Sequence, residues 1–536
     1  MTRLAGMPRV PQLRSPRSAT VVVVLAIVGA LLAGCAVGPD TGPGLVIDNG
    51  GGGGGPAAST EAPAAPALNA PRTDLGWRTC PDDVAGRYGL SATAADVRIE
   101  CADFQASITP GVATIDAVDV AAVRVRLTST PASAAPLVLT SGSDIPSALT
   151  AVLVANSPGR TLLASHPLVA IDRRGTGASS PLDCLTVRER NTLLDNGFDS
   201  SDAASGVGPR QTRLATTAAE ASDGCSETIS PHQLAYTAAN TAGDLERLRT
   251  IWGVDRIGIV GVGAGSDVAL AYAGLYRNRV ARLVLDTPPA YLASARDRAQ
   301  QVAAGTDAAL TTFATDCASA NCSLGTGARA AILSLIDRAA AGRLATLSDA
   351  DVLSAITTEL AVTTTDRTST VARVSRLLSS AIAGDVGGLT QSAARARALR
   401  GTDGQLLSRC NDTSQPVGQN EIGALVTSWS GQYRFTGTDT ALSLLRCSGW
   451  PAGPAALRPS GFDVPVLLLT SGDDTINGGT GSGALEPLFV SAGAKTSTVT
   501  WDGLGFSVAA HSDCAADIVT RYAESGEIPD TGACPS

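Results

Sequence analysis

The stretch Asp255-Arg256-Ile257-Gly258-Ile259-Val260-Gly261-Val262-Gly263-Ala264-Gly265-Ser266 constrains the fold more than any other. An apolar, β-branched run enters a turn with glycine at every second position. A helical pattern, Asp267 to Arg277, opens at once, and a second short apolar run, Leu283 to Asp286, follows it. A strand that is apolar on both faces and feeds straight into a helix belongs in a parallel sheet covered by helices. Similar short runs occur at Pro136–Leu139, Leu168–Asp172, Arg256–Gly261, Arg282–Asp286 and Pro465–Leu469, each bounded by turn residues. The expectation is an α/β fold with a mostly parallel sheet. Residues 291–460 differ: they read as amphipathic helices, for example Ala328–Ala341 and Asp349–Val362, without comparable strands. That places a helical cap between two sheet strands, over the end where a ligand would enter.

The N-terminus reads as an export signal. Arg3, Arg9, Arg14 and Arg17 precede the apolar run Val21–Leu32, which is short for a bilayer span and ends in Leu32-Ala33-Gly34-Cys35. This box resembles the bacterial lipobox, in which the cysteine is lipidated and becomes the mature N-terminus. The expectation is a signal peptide over residues 1–34 and a lipid anchor at Cys35, holding the protein to the outer face of the cytoplasmic membrane. Residues 35–72, rich in Gly, Pro and Ala, read as a disordered tether. The fold then divides into a core over 73–290, the cap over 291–460, and a second part of the core over 461–536.

Composition narrows the function. The formal charge is -9, and removal of residues 1–34 takes four Arg and no acid, which disfavours a nucleic-acid partner. The three histidines, His166, His232 and His511, have no metal-ligand spacing, so neither a metal nor another cofactor is expected. Beyond Cys35 there are ten cysteines with no CxxC pair, an even number suited to disulfides in an oxidising compartment. The residues themselves leave the pairing open.

The glycine turn has the frame of a nucleophile elbow, G-x-S-x-G, in which a serine sits on a strained strand-to-helix turn. Here the middle position is Gly263, which offers no nucleophile. A dinucleotide-binding reading fails on spacing, because Ser266 stands where G-x-G-x-x-G needs its last glycine.

Further pieces follow in order: Trp77 and Cys80; Glu100-Cys101-Ala102; Asp172-Arg173-Arg174-Gly175-Thr176-Gly177-Ala178-Ser179-Ser180-Pro181; Tyr236-Thr237; Arg409-Cys410-Asn411-Asp412; Cys447-Ser448-Gly449-Trp450-Pro451; and Pro465-Val466-Leu467-Leu468-Leu469. Together with the elbow they resemble the exported α/β-hydrolases of the tripeptidyl aminopeptidase and proline iminopeptidase group, with a TAP-like C-terminal region. The resemblance implies an α/β-hydrolase fold with an inserted helical cap. It also implies disulfides Cys80–Cys101, Cys184–Cys225, Cys317–Cys322, Cys410–Cys447 and Cys514–Cys534. Carried over by position, the family's nucleophile falls on Gly263, its acid on Asp474 and its base on Phe506, eight residues before Cys514. Phenylalanine moves no proton. The loop that would supply oxyanion donors reads Thr140-Ser141-Gly142-Ser143-Asp144-Ile145-Pro146, and an acid there opposes a developing negative charge.

Two functions follow from these substitutions. The first is a catalytically impaired pseudo-hydrolase that binds a peptide-like ligand or a cell-envelope partner. The alternative is an active serine hydrolase or exopeptidase using a displaced set, Ser266, His511 and Asp474. Against that set, Ser266 can serve the first turn of its helix, His511 can be a surface residue, and Asp474 can bond loop backbone.

Overall fold

The computed structural model describes residues 65–112, 116–413 and 415–536. The expected signal peptide and the expected anchor at Cys35 lie outside the described residues. The described residues form one compact unit. Its ten strands are β1 (Arg78–Thr79), β2 (Val97–Ser107), β3 (Ala117–Leu127), β4 (Leu137–Thr140), β5 (Leu168–Ile171), β6 (Ile257–Val262), β7 (Val280–Asp286), β8 (Val466–Asp473), β9 (Thr496–Leu504) and β10 (Gly532–Cys534). They make a single sheet in the order β1-β2-β3-β5-β4-β6-β7-β8-β9-β10. From β5 through β10 every neighbouring pair is parallel. The runs read as buried strands are β4 to β8, and all residues of β4, β5, β6 and β7 are buried, as a sheet covered on both faces requires. At the other edge, β2 and β3 pair antiparallel over their full length and alternate buried with exposed positions. Half of that ribbon faces solvent, which is why its sequence carries charges such as Arg98, Glu100 and Arg124.

Between β7 and β8 the described residues form helices and no strand, including Ala295–Ser319, Ala328–Ala340, Asp349–Ala361, Arg367–Ile382, Gly387–Arg400, Asp403–Asn411 and Gln419–Gln432. Their starts are written locally. Ser348 and Asp351, and Thr402 and Gln405, form reciprocal capping boxes, and Ser294 accepts from the Asp297 N–H. The helices have an apolar centre of their own around Leu310, Phe313, Ile332, Ile356 and Leu378. They are also fastened to the sheet by two of the motifs singled out above. Arg173, at the end of β5, pairs with Asp412 at 2.7 Å, and Asn411 accepts from the Tyr236 N–H. Arg174 and Asp244 make a fully buried pair beneath them.

All five implied disulfides are formed, with Cα separations of 4.9, 4.8, 4.9, 5.3 and 5.7 Å in chain order. One boundary is corrected. The tether does not run to residue 72, because the Pro66 carbonyl accepts from Arg282, Leu68 packs on the core, and the Arg72 N–H donates to the Trp252 carbonyl. Composition alone missed this, since these backbone groups find partners more than a hundred residues away.

Candidate functional site

The carboxyl ends of β4, β6, β7, β8 and β9 converge on one place, the end of a parallel sheet where ligands and catalytic groups collect. The elbow there is built as the glycine spacing requires. A Cβ on Gly261 would lie 2.8 Å from the Gly265 carbonyl oxygen, and one on Gly265 would lie 1.8 Å from the Thr140 carbonyl oxygen. Both glycines are needed for the helix Gly265–Leu275 to start this close to the sheet. Between them, Gly263 adopts φ +53°, the left-handed turn conformation of an elbow, and its N–H donates to the Asp286 carbonyl at 2.8 Å.

The space in front of the elbow is filled. A Cβ on Gly263 would meet Asp144 Oδ2 at 2.3 Å, Asn477 Nδ2 at 2.6 Å and Phe506 Cε2 at 2.9 Å. Phe506 is fully buried, so the position read as the base carries a ring packed against the position read as the nucleophile. Asp286 fixes the turn that follows the ring. Its carboxylate accepts from the Ser507 hydroxyl at 2.7 Å and from the Val508 and Ala509 N–H groups at 2.8 and 3.0 Å. Burial pushes Asp286 up from the ordinary carboxylate range.

The Asp144 carboxylate occupies the anion position itself. Its Oδ2 accepts from the Ala264 N–H at 2.7 Å and from Asn477 Nδ2 at 2.8 Å. In an elbow, the N–H of the residue after the nucleophile is an oxyanion donor, and here it is committed to a side chain of the same protein. Gly142, at φ +59°, lets the loop approach this closely, since a Cβ there would lie 2.5 Å from the Ala264 carbonyl.

Asp474 is buried at the end of β8, and its Oδ1 accepts from the Ile476 and Asn477 N–H groups at 2.7 and 3.2 Å. It shapes the turn that delivers Asn477 to Asp144. Burial, with the nearby Asp144 charge adding to it, pushes Asp474 up to about 6.

The displaced set is not brought together. Ser266 is buried in the first turn of its helix, and its hydroxyl donates to the Gly261 carbonyl at 2.9 Å. His511 stacks on Trp501, and its two ring nitrogens face the carbonyls of Ser507 at 2.9 Å and Thr363 at 2.8 Å. Neither nitrogen is free to take a proton from a serine. Nor is His511 a plain surface residue: it is half-buried and links the C-terminal region to the helical insertion.

Beside the filled elbow lies a cavity of about 630 Å³, bounded by Asp144 on the sheet side and by Arg298, Arg400, Arg409 and Arg446 from the insertion. Arg298 is paired with Asp267 at 2.8 Å, and burial pushes Asp267 up to about 6. Sequence reasoning had flagged Asp144 as an obstacle. It missed Asn477, the role of Asp286 and the converging arginines. Asn477 had one local signal, lying three residues after Asp474 on the same turn. Among the described residues no group of His, Cys, Asp and Glu side chains is placed to hold a metal ion.

Two family matches agree with this architecture. Residues 155–345 match the family described as alpha/beta hydrolase fold, and residues 433–534 match the family described as TAP-like protein. Tripeptidyl aminopeptidases of Streptomyces lividans and Streptomyces coelicolor are each 27% identical over 123 residues, 23% of this chain. The match covers only 22% of those relatives' length. Among solved structures, the proline iminopeptidase of Mycobacterium smegmatis aligns with 79% of this chain and 98% of its own, at 14% identity and a TM-score of 0.39. An esterase of Thermogutta terrifontis aligns with 78% of this chain and 96% of its own, at 13% identity and a TM-score of 0.33. By its own sheet order and elbow together with the two family matches, the chain is an α/β-hydrolase-fold protein with a TAP-like C-terminal region.

Proposed function

We propose that this is an exported hydrolase-fold protein that binds a peptide-like ligand or a cell-envelope partner and does not cleave it. The observation that carries the reading is the Asp144 carboxylate on the Ala264 N–H, in front of a glycine where the nucleophile would stand. Acyl transfer needs an attacking atom, a base to take its proton and vacant donors for the oxyanion. At this elbow Gly263 supplies no attacking atom, Phe506 takes no proton, and Asp144 already uses the donor. In the same proposal the chain is lipid-anchored at Cys35, which the Leu-Ala-Gly-Cys box supports.

The alternative is a working exopeptidase, supported by the names of the two Streptomyces relatives. Labelling the purified full chain with a fluorophosphonate probe, followed by intact mass and peptide mapping, separates the two. The expected result is a folded protein with no adduct. A stoichiometric adduct would overturn the non-catalytic reading, and its loss in Ser266→Ala would locate the relocated nucleophile.

A further inference from the structure

The cavity beside the elbow has an unusual charge inventory. Its acids are occupied. Asp267 is paired with Arg298, Asp351 with Arg397 and Asp412 with Arg173. Asp144 accepts from Ala264 and Asn477, and Asp439 accepts from Asn196. Three half-buried arginines on its wall, Arg400, Arg409 and Arg446, are not matched in this way. Among the described residues no carboxylate lies within ion-pair distance of Arg400, Arg409 or Arg446.

Their hydrogen bonds go to neutral acceptors. Arg400 donates weakly to the Thr357 and Thr358 hydroxyls at 3.2 and 3.4 Å, and its buried Nε has no partner. Arg409 donates to the carbonyls of Ser143 at 2.9 Å and Arg400 at 3.0 Å. Arg446 donates to Asn196 Oδ1 at 2.9 Å and to the Leu194 carbonyl at 3.3 Å. Each guanidinium carries five donors, so several remain for a ligand.

We propose that this cavity binds a small organic anion, seating a phosphate or carboxylate group among Arg400, Arg409 and Arg446. All three lie deep in the protein and stay only partly covered, because what they face is the cavity. Burial pulls each below the ordinary guanidinium value, Arg409 to about 10, and the Arg400 and Arg446 charges oppose that of Arg409. An incoming anion offsets both the burial and the repulsion. Two oxygens of a carboxylate or a phosphate also match the fork geometry of guanidinium. Tyr291, Val302, Leu353 and Ile476 give the same cavity an apolar side for the body of such a ligand.

The inference rests on the non-catalytic reading only in that the anion is held and not cleaved. Its test is isothermal titration of the full chain with inorganic phosphate, with citrate and with neutral glycerol. Binding of phosphate alone assigns a phosphorylated ligand, binding of citrate alone a carboxylate, and binding of both a general oxyanion site. Glycerol should give no heat. Arg400→Gln and Arg409→Gln should each weaken the anion by about tenfold or more.

A second readout needs no variant. The bound anion should protect Arg400, Arg409 and Arg446 from phenylglyoxal in peptide maps of the native chain. No binding of either anion by folded protein, or binding without that protection, would overturn the inference. A fluorophosphonate adduct would break the non-catalytic reading and leave anion binding untouched, so the two can fail separately.

Discussion

The elbow and the neighbouring cavity share a wall and are finished in opposite ways. At the elbow every approach is closed: Phe506 covers Gly263, and Asp144 satisfies the Ala264 N–H and Asn477. In the cavity, Arg400, Arg409 and Arg446 keep donors without charged acceptors around about 630 Å³ of space. Buried polar groups are nearly always paired, because an unpaired one forfeits its hydration. A protein that closes its anion position with its own carboxylate, yet leaves guanidinium groups open next door, has its binding capacity in the cavity. The difference teaches that the site of a fold and the site of a function can separate by one side chain's reach.

The largest expected effect comes from trying to reopen the elbow. Gly263→Ser must place a Cβ within 2.3 Å of Asp144 Oδ2, at a φ of +53° that only glycine holds easily. Overpacking and backbone strain together should cost about 2–5 kcal/mol. Thermal unfolding should register the loss, and no fluorophosphonate labelling should appear. A labelled Gly263→Ser of unchanged stability would show that the elbow is open after all and would end the contrast.

Asp144→Ala touches both regions at once. It strips the acceptor from two buried donors, which should destabilise the protein by about 2–4 kcal/mol. It also removes from the cavity wall the negative charge that neutralises part of the Arg400 and Arg409 field and repels an incoming anion. Anion binding in the cavity should therefore tighten while the fold weakens. Weaker phosphate or citrate binding in this variant would mean that Asp144 is part of the anion site and not its competitor.

The smallest effect is a pH slope. Asp474, Asp195 and Asp267 are each raised from 3.8 to about 6, chiefly by burial. Between about pH 4 and pH 6 the folded state keeps protons that the unfolded chain has released. Stability is therefore greatest below about pH 4, so far as these groups decide it, and falls as pH rises through 6. Asp474→Asn keeps an acceptor for the Ile476 and Asn477 N–H groups and removes one of the three charges. At pH 7.5 it should be about 1–3 kcal/mol more stable than the native chain, with a shallower slope in denaturant titrations between pH 4 and 7. An unchanged slope would show that the Asp474 environment is wetter than its burial indicates.

Much of the fold was legible because its signals are local. Runs such as Leu168–Ile171 and Ile257–Val262 are apolar at every position because both of their faces are covered. The helix Asp349–Ala361 was readable from its period, and its capping residues Ser348 and Asp351 lie three apart. The ribbon of β2 and β3 was not singled out, since its half-exposed alternation carries charges on one side and gives a weaker signal. At the elbow, the sequence already displayed glycine at the nucleophile position, residue 263, and phenylalanine at the base position, residue 506.

What the sequence by itself determined is the class of sheet, the glycine-spaced elbow, the cysteine framework through its resemblance, and the lack of a nucleophile at residue 263. Each of these depends on residue type and short-range spacing, which a linear chain displays. Only the tertiary structure decided that Asp144 is the occupant of the anion position, 120 residues from Ala264 and 333 from Asn477. It alone also decided that arginines from separate helices of the insertion share one cavity whose acids are bonded to other partners. The physical reason is that hydrogen bonding and charge compensation depend on distance through space, and packing of the insertion on the sheet sets those distances.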